Sequence, residues 1–138
     1  MSRETFTQSL RRRSQVLIVD DSATLCRLIR HTLGRSGYAC TEARSGEDAL
    51  RLLRIARMHL VITDTQLPGG MDGIELIRQL RAQPDHRRTP ILVLTAQLGG
   101  AGARAIEAGA DAFVTKHAIN HDLLHEVAKL LPPPLLVA

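Results

Sequence analysis

The sequence predicts an α/β fold: a single five-stranded parallel sheet, doubly wound, with helices on both faces. Three observations carry that prediction. Short apolar runs and stretches of helical period alternate strictly, five times, between residues 15 and 131, which is the pattern of strand-then-helix units joined by right-handed crossovers. Two of the runs, QVLIVD at 15–20 and PILVL at 90–94, are continuously apolar instead of alternating, and this marks strands buried on both faces. The runs also end in chemically loaded residues, namely Asp20, Asp64, Thr95 and Lys116, where an open α/β sheet gathers its functional groups beyond the carboxyl ends of its strands.

Each element has its own warrant. Residues 1–14 are polar and basic and read as an arm preceding the fold. After the first strand, Ser22 is placed to cap a helix, in which Leu25, Leu28, Ile29 and Leu33 recur at helical spacing until Gly34 and Gly37. Residues 38–43 form a weaker second strand, and Ser45-Gly46 turns it into a helix with Ala49, Leu50, Leu53 and Ala56 inward. Residues 60–63 form the third strand, which delivers Asp64 to a Pro/Gly turn, LPGGMDG. Ile74, Leu76, Ile77 and Leu80 define the third helix, closed by Pro84 and the polar loop DHRRT. Residues 91–94 are the fourth strand, with Thr95 at its end. The glycine-rich stretch 99–104 then loosens the start of the fourth helix, each helical Gly costing up to about 1 kcal/mol relative to Ala. Residues 112–115 are the fifth strand, ending at Lys116. The last helix is expected from about Asn120, a good N-cap, to Leu131, with Leu123, Leu124, Val127, Leu130 and Leu131 inward. Pro132-Pro133-Pro134 stops it, leaving 132–138 as a tail or the start of a linker.

The bulk composition narrows the function. A chain of 138 residues fits one domain with a real core. Aromatics amount to 2%, so the core is built from Val, Ile, Leu and Ala, and stacking platforms for nucleic-acid bases are not expected. The net charge is +4, but the arginines are spread along the helices opposite the apolar positions, as on a solvated face, and nucleic acid is not the expected partner. Cys26 and Cys40 lack CxxC spacing and read as small buried hydrophobes. Neither a signal-peptide core nor a membrane-spanning run is present in the sequence, so a soluble, cytoplasmic protein without a membrane partner is expected.

Three carboxylates, Asp20, Asp21 and Asp64, thus meet a hydroxyl, Thr95, and an ammonium, Lys116, at one edge of the sheet. Crowded carboxylates repel unless a cation joins them, and hard oxygen ligands with room for water suit Mg²⁺. A carboxylate is also a nucleophile toward phosphorus, giving an acyl phosphate. Lys116 and backbone N–H groups near Ala96 are placed to neutralise charge spread over phosphoryl oxygens, with Thr95 hydrogen-bonding one of them.

Taken together, Asp20-Asp21-Ser22, Asp64 before LPGGMDG, Thr95-Ala96, Gly109-Ala110-Asp111 and Lys116 resemble the receiver domains of two-component response regulators, single-domain chemotaxis-type members included. The resemblance spans residues 15–131 and implies a flavodoxin-like (βα)5 sheet of strand order 2-1-3-4-5. It implies that Asp64 accepts a phosphoryl group from the phosphohistidine of a histidine kinase or histidine phosphotransfer protein. Asp21 and Asp64 would bind Mg²⁺ by their side chains, together with the backbone carbonyl of Gln66, and Asp20 would act largely through bound water. Lys116 would pair with the phosphoryl group, Thr95 would move toward it, and the small Ala96 would leave the phosphorus reachable. Phe113 matches the aromatic switch position, turning inward as Thr95 moves, with the fourth helix, fifth strand and fifth helix as the readout surface for a downstream partner. Gln66 and Gln97 match positions that tune the lifetime of the acyl phosphate. Such a domain is no enzyme in the ordinary sense; it catalyses only its own phosphorylation and dephosphorylation. The chain departs from the family pattern at His117, where proline usually follows the lysine, and at Gly69-Gly70, which lengthens the turn by one residue over the commonest spacing.

Two rival readings follow. A receiver fold that binds partners without phosphorylation is suggested by His117 and the longer loop. An aspartyl-phosphate phosphatase or phosphotransferase acting on small substrates is disfavoured, because such enzymes resemble Asp-x-Asp at the nucleophile and Gln66 stands two residues after Asp64. His121 and His125 are four apart, as in zinc hydrolases that use HExxH. Here Asp122 replaces the glutamate and the intervening leucines belong to the core stripe, which sends both histidines to solvent.

Overall fold

The apolar runs become strands because helices cover them from both sides. The computed structural model describes residues 13–96 and 99–131, so Gln97, the arm through residue 12 and the tail from residue 132 lie outside the described residues. Strands β1 (Gln15–Val19), β2 (Ala39–Ala43), β3 (Leu60–Asp64), β4 (Ile91–Thr95) and β5 (Ala112–Thr115) are all parallel and lie in the order β2-β1-β3-β4-β5, the flavodoxin-like order expected. Every residue of β3 and β4 is buried, as a central parallel strand requires.

The two-residue period of each strand sorts its side chains into two cores. Val16, Ile18, Leu60, Ile62, Leu92 and Leu94 pack against helices α1 (Ala23–Gly34) and α5 (Ile119–Leu130). Leu17, Val19, Val61, Ile91 and Val93 pack on the opposite face, against α2 (Gly46–Ile55), α3 (Gly73–Ala82) and α4 (Ala101–Ala108). Three helices begin on side-chain caps: Ser22, Ser45 and Asp72 accept hydrogen bonds from the backbone N–H groups of Leu25, Asp48 and Glu75. No helix among the described residues is long and apolar enough to cross a membrane.

Several inward assignments need correction. The buried stripe of α1 is Cys26, Ile29 and Leu33. Leu28 is two residues from Cys26, about 200° around the helix, and is exposed. Leu124 likewise sits one step off the Leu123–Val127 stripe of α5 and is exposed. Ala56 lies past the end of α2 with extended backbone and points to solvent. Cys40 is only half-buried on the edge strand β2. Asn120 does not cap α5. A 3-10 turn, Lys116–Ala118, intervenes, so that the helix starts at Ile119 on a cap, Ala118, without side-chain bonding, and Ile119 fills a core position.

Arg81 is a further correction to the picture of a solvated arginine face. Its guanidinium is largely enclosed and donates to the carbonyls of Gly109 (2.9 Å), His86 (2.9 Å) and Thr89 (2.7 Å) and to Asp111 Oδ2 (3.0 Å). Asp111 Oδ2 also accepts from the Ile91 N–H at 2.8 Å. One side chain thereby ties α3 to the 3-10 turn Pro84–His86 and to the segment entering β5, satisfying backbone carbonyls in the way an enclosed arginine must to be tolerated.

Helix α3 is seated directly on the turn after β3. The Gly73 N–H donates to the Thr65 carbonyl at 2.9 Å, and a Cβ on Gly73 would lie 1.9 Å from the Asp64 carbonyl oxygen. Only glycine permits that approach of backbone to backbone. Gly73→Ala is therefore expected to destabilise the chain by about 3 kcal/mol or more through forced displacement of well-packed backbone, read as a lowered urea midpoint with unchanged slope. A cost below about 0.5 kcal/mol would contradict this packing.

Candidate functional site

The sheet register assembles the site. Val19 pairs with Thr63, Asp64 with Leu94 and Thr95 with Thr115. The residues at the carboxyl ends of four adjacent strands, Asp20, Asp64, Thr95 and Lys116, therefore come side by side. Asp20 is held at the end of β1 by its N–H, which donates to the Ala43 carbonyl at 3.0 Å. Asp21 follows at the surface.

Asp20, Asp21 and Asp64 each present a carboxylate oxygen within 4.8 Å of the others. Asp20 is fully buried. Its Oδ1 accepts from the Ser22 N–H at 2.8 Å, whereas its Oδ2 is buried without a hydrogen-bond partner among the described residues. Burial pushes its pKa up to about 6; the Ser22 N–H opposes the rise and the neighbouring charge of Asp64 adds to it. Such an orphaned buried oxygen is costly unless something pairs with it. An all-oxygen donor set with one exposed member is the kind that a hard divalent cation such as Mg²⁺ takes, keeping part of its water. The residues present fit that cation.

Asp64 is nearly buried and both of its oxygens are engaged. Oδ1 accepts from the Gln66 N–H at 3.1 Å, and Oδ2 accepts from Lys116 Nζ at 2.6 Å. The lysine side chain is 41% exposed. Burial pulls its pKa down, but the hydrogen bond and charge of Asp64, joined by Asp20 and Asp21, outweigh that and hold it above its ordinary value. The ammonium is consequently a permanent counter-charge. The reach is achieved through a trans peptide, since no peptide among the described residues is cis; the 3-10 turn beginning at Lys116 follows immediately.

Thr95 is buried at the end of β4 and Ala96 is exposed beside it. Phe113 is 47% exposed, its ring over α4, where a Cβ on Gly102 would come 2.8 Å from the ring. Gln66 is exposed in the turn after β3. In that turn Gly69 has φ 91° and the Gly70 N–H donates to Glu47 Oε1 at 2.9 Å, so the added glycine is caught by the first turn of α2. Glu47 and Gly102 carry no signal in a single sequence, because their partners lie 23 and 11 residues away. His121 and His125 are exposed. Burial pushes the thiols of Cys26 and Cys40 up to about 11, which leaves no cysteine poised as a nucleophile.

Comparison with known proteins gives a consistent family. The response regulator receiver domain profile matches residues 16–128. The transcriptional regulatory protein ResD of Bacillus subtilis is 36% identical over 119 residues, covering 86% of this chain and 48% of ResD; the chain spans about half the length of the first curated relatives it matches. Among solved structures, a putative response regulator from Chloroflexus aurantiacus superposes with TM-score 0.83 at 33% identity, covering 86% of this chain and 98% of that one. The response regulator TrrA of Thermotoga maritima, solved in complex with Mg(2+)-BeF, superposes with TM-score 0.76 at 30% identity, covering 86% and 99%.

The raised pKa of Asp20 has a stability consequence with a definite sign. A carboxyl that holds its proton more tightly folded than unfolded, where its pKa is about 3.9, stabilises the fold fully below that value. This contribution is lost as pH rises through about 6. In metal-free buffer at pH 7.5, Asp20→Asn should be more stable than the parent by up to about 3 kcal/mol, a gain that shrinks toward pH 4, as measured by urea denaturation. Equal stability of the two proteins across that range would mean that burial and the neighbouring charges do not raise the Asp20 pKa.

Proposed function

We propose, for a chain that belongs to the response regulator receiver domain family, that it is a phosphoacceptor of two-component signalling, with Asp64 as the acceptor. One observation carries the reading: the Asp64 carboxylate, at the end of β3, sits 2.6 Å from a permanent ammonium and within 4.8 Å of two further carboxylates. A structural ion pair has no use for two additional anions; phosphoryl transfer with a divalent cation does.

In the reaction, a carboxylate oxygen of Asp64 attacks the phosphorus of a phosphohistidine on a histidine kinase or histidine phosphotransfer protein. The P–N bond breaks, and the electron pair leaves with the imidazole, which takes up a proton. Asp64 is then an acyl phosphate. Asp20, Asp21 and Asp64, with the Gln66 carbonyl, are the groups that would hold Mg²⁺, which when bound neutralises charge on the phosphoryl oxygens. Lys116 supplies a second positive charge from the β5 side. Thr95 donates its hydroxyl to a phosphoryl oxygen, and Ala96 keeps the approach open. Gln66 and Gln97, two residues after Asp64 and Thr95 in the sequence, are the positions that tune the lifetime of the acyl phosphate. The domain acts on itself alone and works in the cytoplasm, where its donor is.

The readout is a two-state element. Phe113 stands half-exposed against Gly102, and withdrawal of its ring as Thr95 moves would free that contact on α4. A dianionic group that binds Thr95 and Lys116 in only one arrangement biases such an equilibrium. The rival reading, a receiver fold that signals without phosphorylation, predicts no acyl phosphate at all.

Incubation with acetyl phosphate and Mg²⁺, followed by intact mass measurement, separates the two. The expected result is one phosphoryl increment, absent in Asp64→Asn and absent with a chelator, and slowed about 100-fold or more in Lys116→Ala, as for loss of one preorganised charge contact. Folded parent protein that takes up no phosphoryl group under these conditions would sink the acceptor role.

A further inference from the structure

The opposite edge of the sheet holds a groove that the acceptor chemistry does not use. It has a volume of about 670 Å³ and is bounded by the C-terminal end of α2, the loop leading into β4, and Leu131 after α5. Its floor is apolar: Leu53, Met58 and Leu131 are buried, but their exposed edges line the opening. Ile55, which also lines it, is 77% exposed. Burying such a side chain removes apolar surface from water, and large apolar residues left open beside a concave floor mark interaction sites.

The rim is cationic. Arg54, Arg57 and Arg88 line the groove, are exposed, and form no ion pair among the described residues. Arg30, Arg44, Arg51, Arg78 and Arg81 are each paired with a carboxylate; what distinguishes Arg54, Arg57 and Arg88 from other unpaired arginines such as Arg27 and Arg104 is that they gather around one apolar floor. His59 and His86 add further donors, and among the described residues Asp85 is the one acidic lining residue. His59 is fixed by accepting the Gln15 N–H on Nδ1 at 2.8 Å, which leaves Nε2 available.

We propose that this groove docks an acidic amphipathic segment of a partner protein, seating an apolar side chain over Leu53, Met58 and Ile55 with its carboxylates on Arg54, Arg57 and Arg88. An apolar centre ringed by charge, with arginine prominent, is the anatomy of a protein interface. A nucleic acid would match the rim but not the apolar floor, and no Phe, Tyr or Trp among the described residues lines the groove to stack a base. The inference is independent of the acceptor role of Asp64, since the two sites lie at opposite ends of the strands.

The test uses the full chain, isotope-labelled, and a synthetic peptide of about a dozen residues with leucines at helical spacing flanked by glutamates. Amide shifts should be saturable and confined to residues 53–59, 85–89 and 131. Arg54→Glu combined with Arg88→Glu should weaken binding at least about 10-fold, and Ile55→Ser several-fold. A peptide with serine for leucine should lose binding, and a single-stranded oligonucleotide should bind more weakly than the parent peptide. Absence of saturable shifts, shifts scattered over all exposed arginines, or tighter binding of the oligonucleotide would each overturn the proposal. A chain that takes up a phosphoryl group but ignores the peptide refutes this inference alone, and the converse result refutes only the acceptor reading.

Discussion

Three carboxylates gathered within 4.8 Å of one another, with a single lysine to answer them, form the constraint around which the carboxyl edge of the sheet is arranged. Such a cluster is unfavourable by itself. Asp20 bears the cost of that site most directly: it is fully buried, one of its oxygens has no partner among the described residues, and burial, with the charge of Asp64 adding to it, pushes its pKa up to about 6. The fold tolerates the strain because its main cohesion lies elsewhere, in two apolar layers either side of a central sheet whose inner strands are entirely enclosed. Stability supplied by those layers offsets a local site that is poised instead of relaxed.

Parallel topology explains why these groups meet at all. Asp20, Asp64, Thr95 and Lys116 are separated by tens of residues in the chain, yet each is the last residue of a strand or the first beyond it, on β1, β3, β4 and β5. With all strands pointing the same way and the register in step, strand ends are neighbours by construction. The same arithmetic leaves the amino edge to loops and helix ends, where the basic groove lies.

This is also why so much was readable in advance. Buried parallel strands announce themselves as uninterrupted Val, Ile and Leu, and their terminal residues then become a short roster of candidates. What escaped the sequence depended on angle or on long-range contact. Leu28 and Leu124 satisfy a loose helical period but fall off the narrow buried stripe. Asn120 has the chemistry of a cap, yet a 3-10 turn shifts the helix start to Ile119. Arg81 looks like any surface arginine until α3, the 3-10 turn after it and the segment before β5 close around its guanidinium. At the site, the residues at strand ends were legible, whereas Glu47 under the Gly70 N–H and Gly102 under the Phe113 ring were not, because nothing local couples them.

The turn between Asp64 and α3 is anchored at both ends: Gly73 rests against the Asp64 carbonyl and bonds to Thr65, and Met71 packs over Gly46. With its ends clamped, the segment takes up any extra residue by bulging outward, where Gly69 turns and Glu47 receives the Gly70 N–H. Loop length is thus decoupled from the placement of Asp64. A residue added between these fixed points would reshape the rim of the acidic cluster while leaving the Asp64 carboxylate in place.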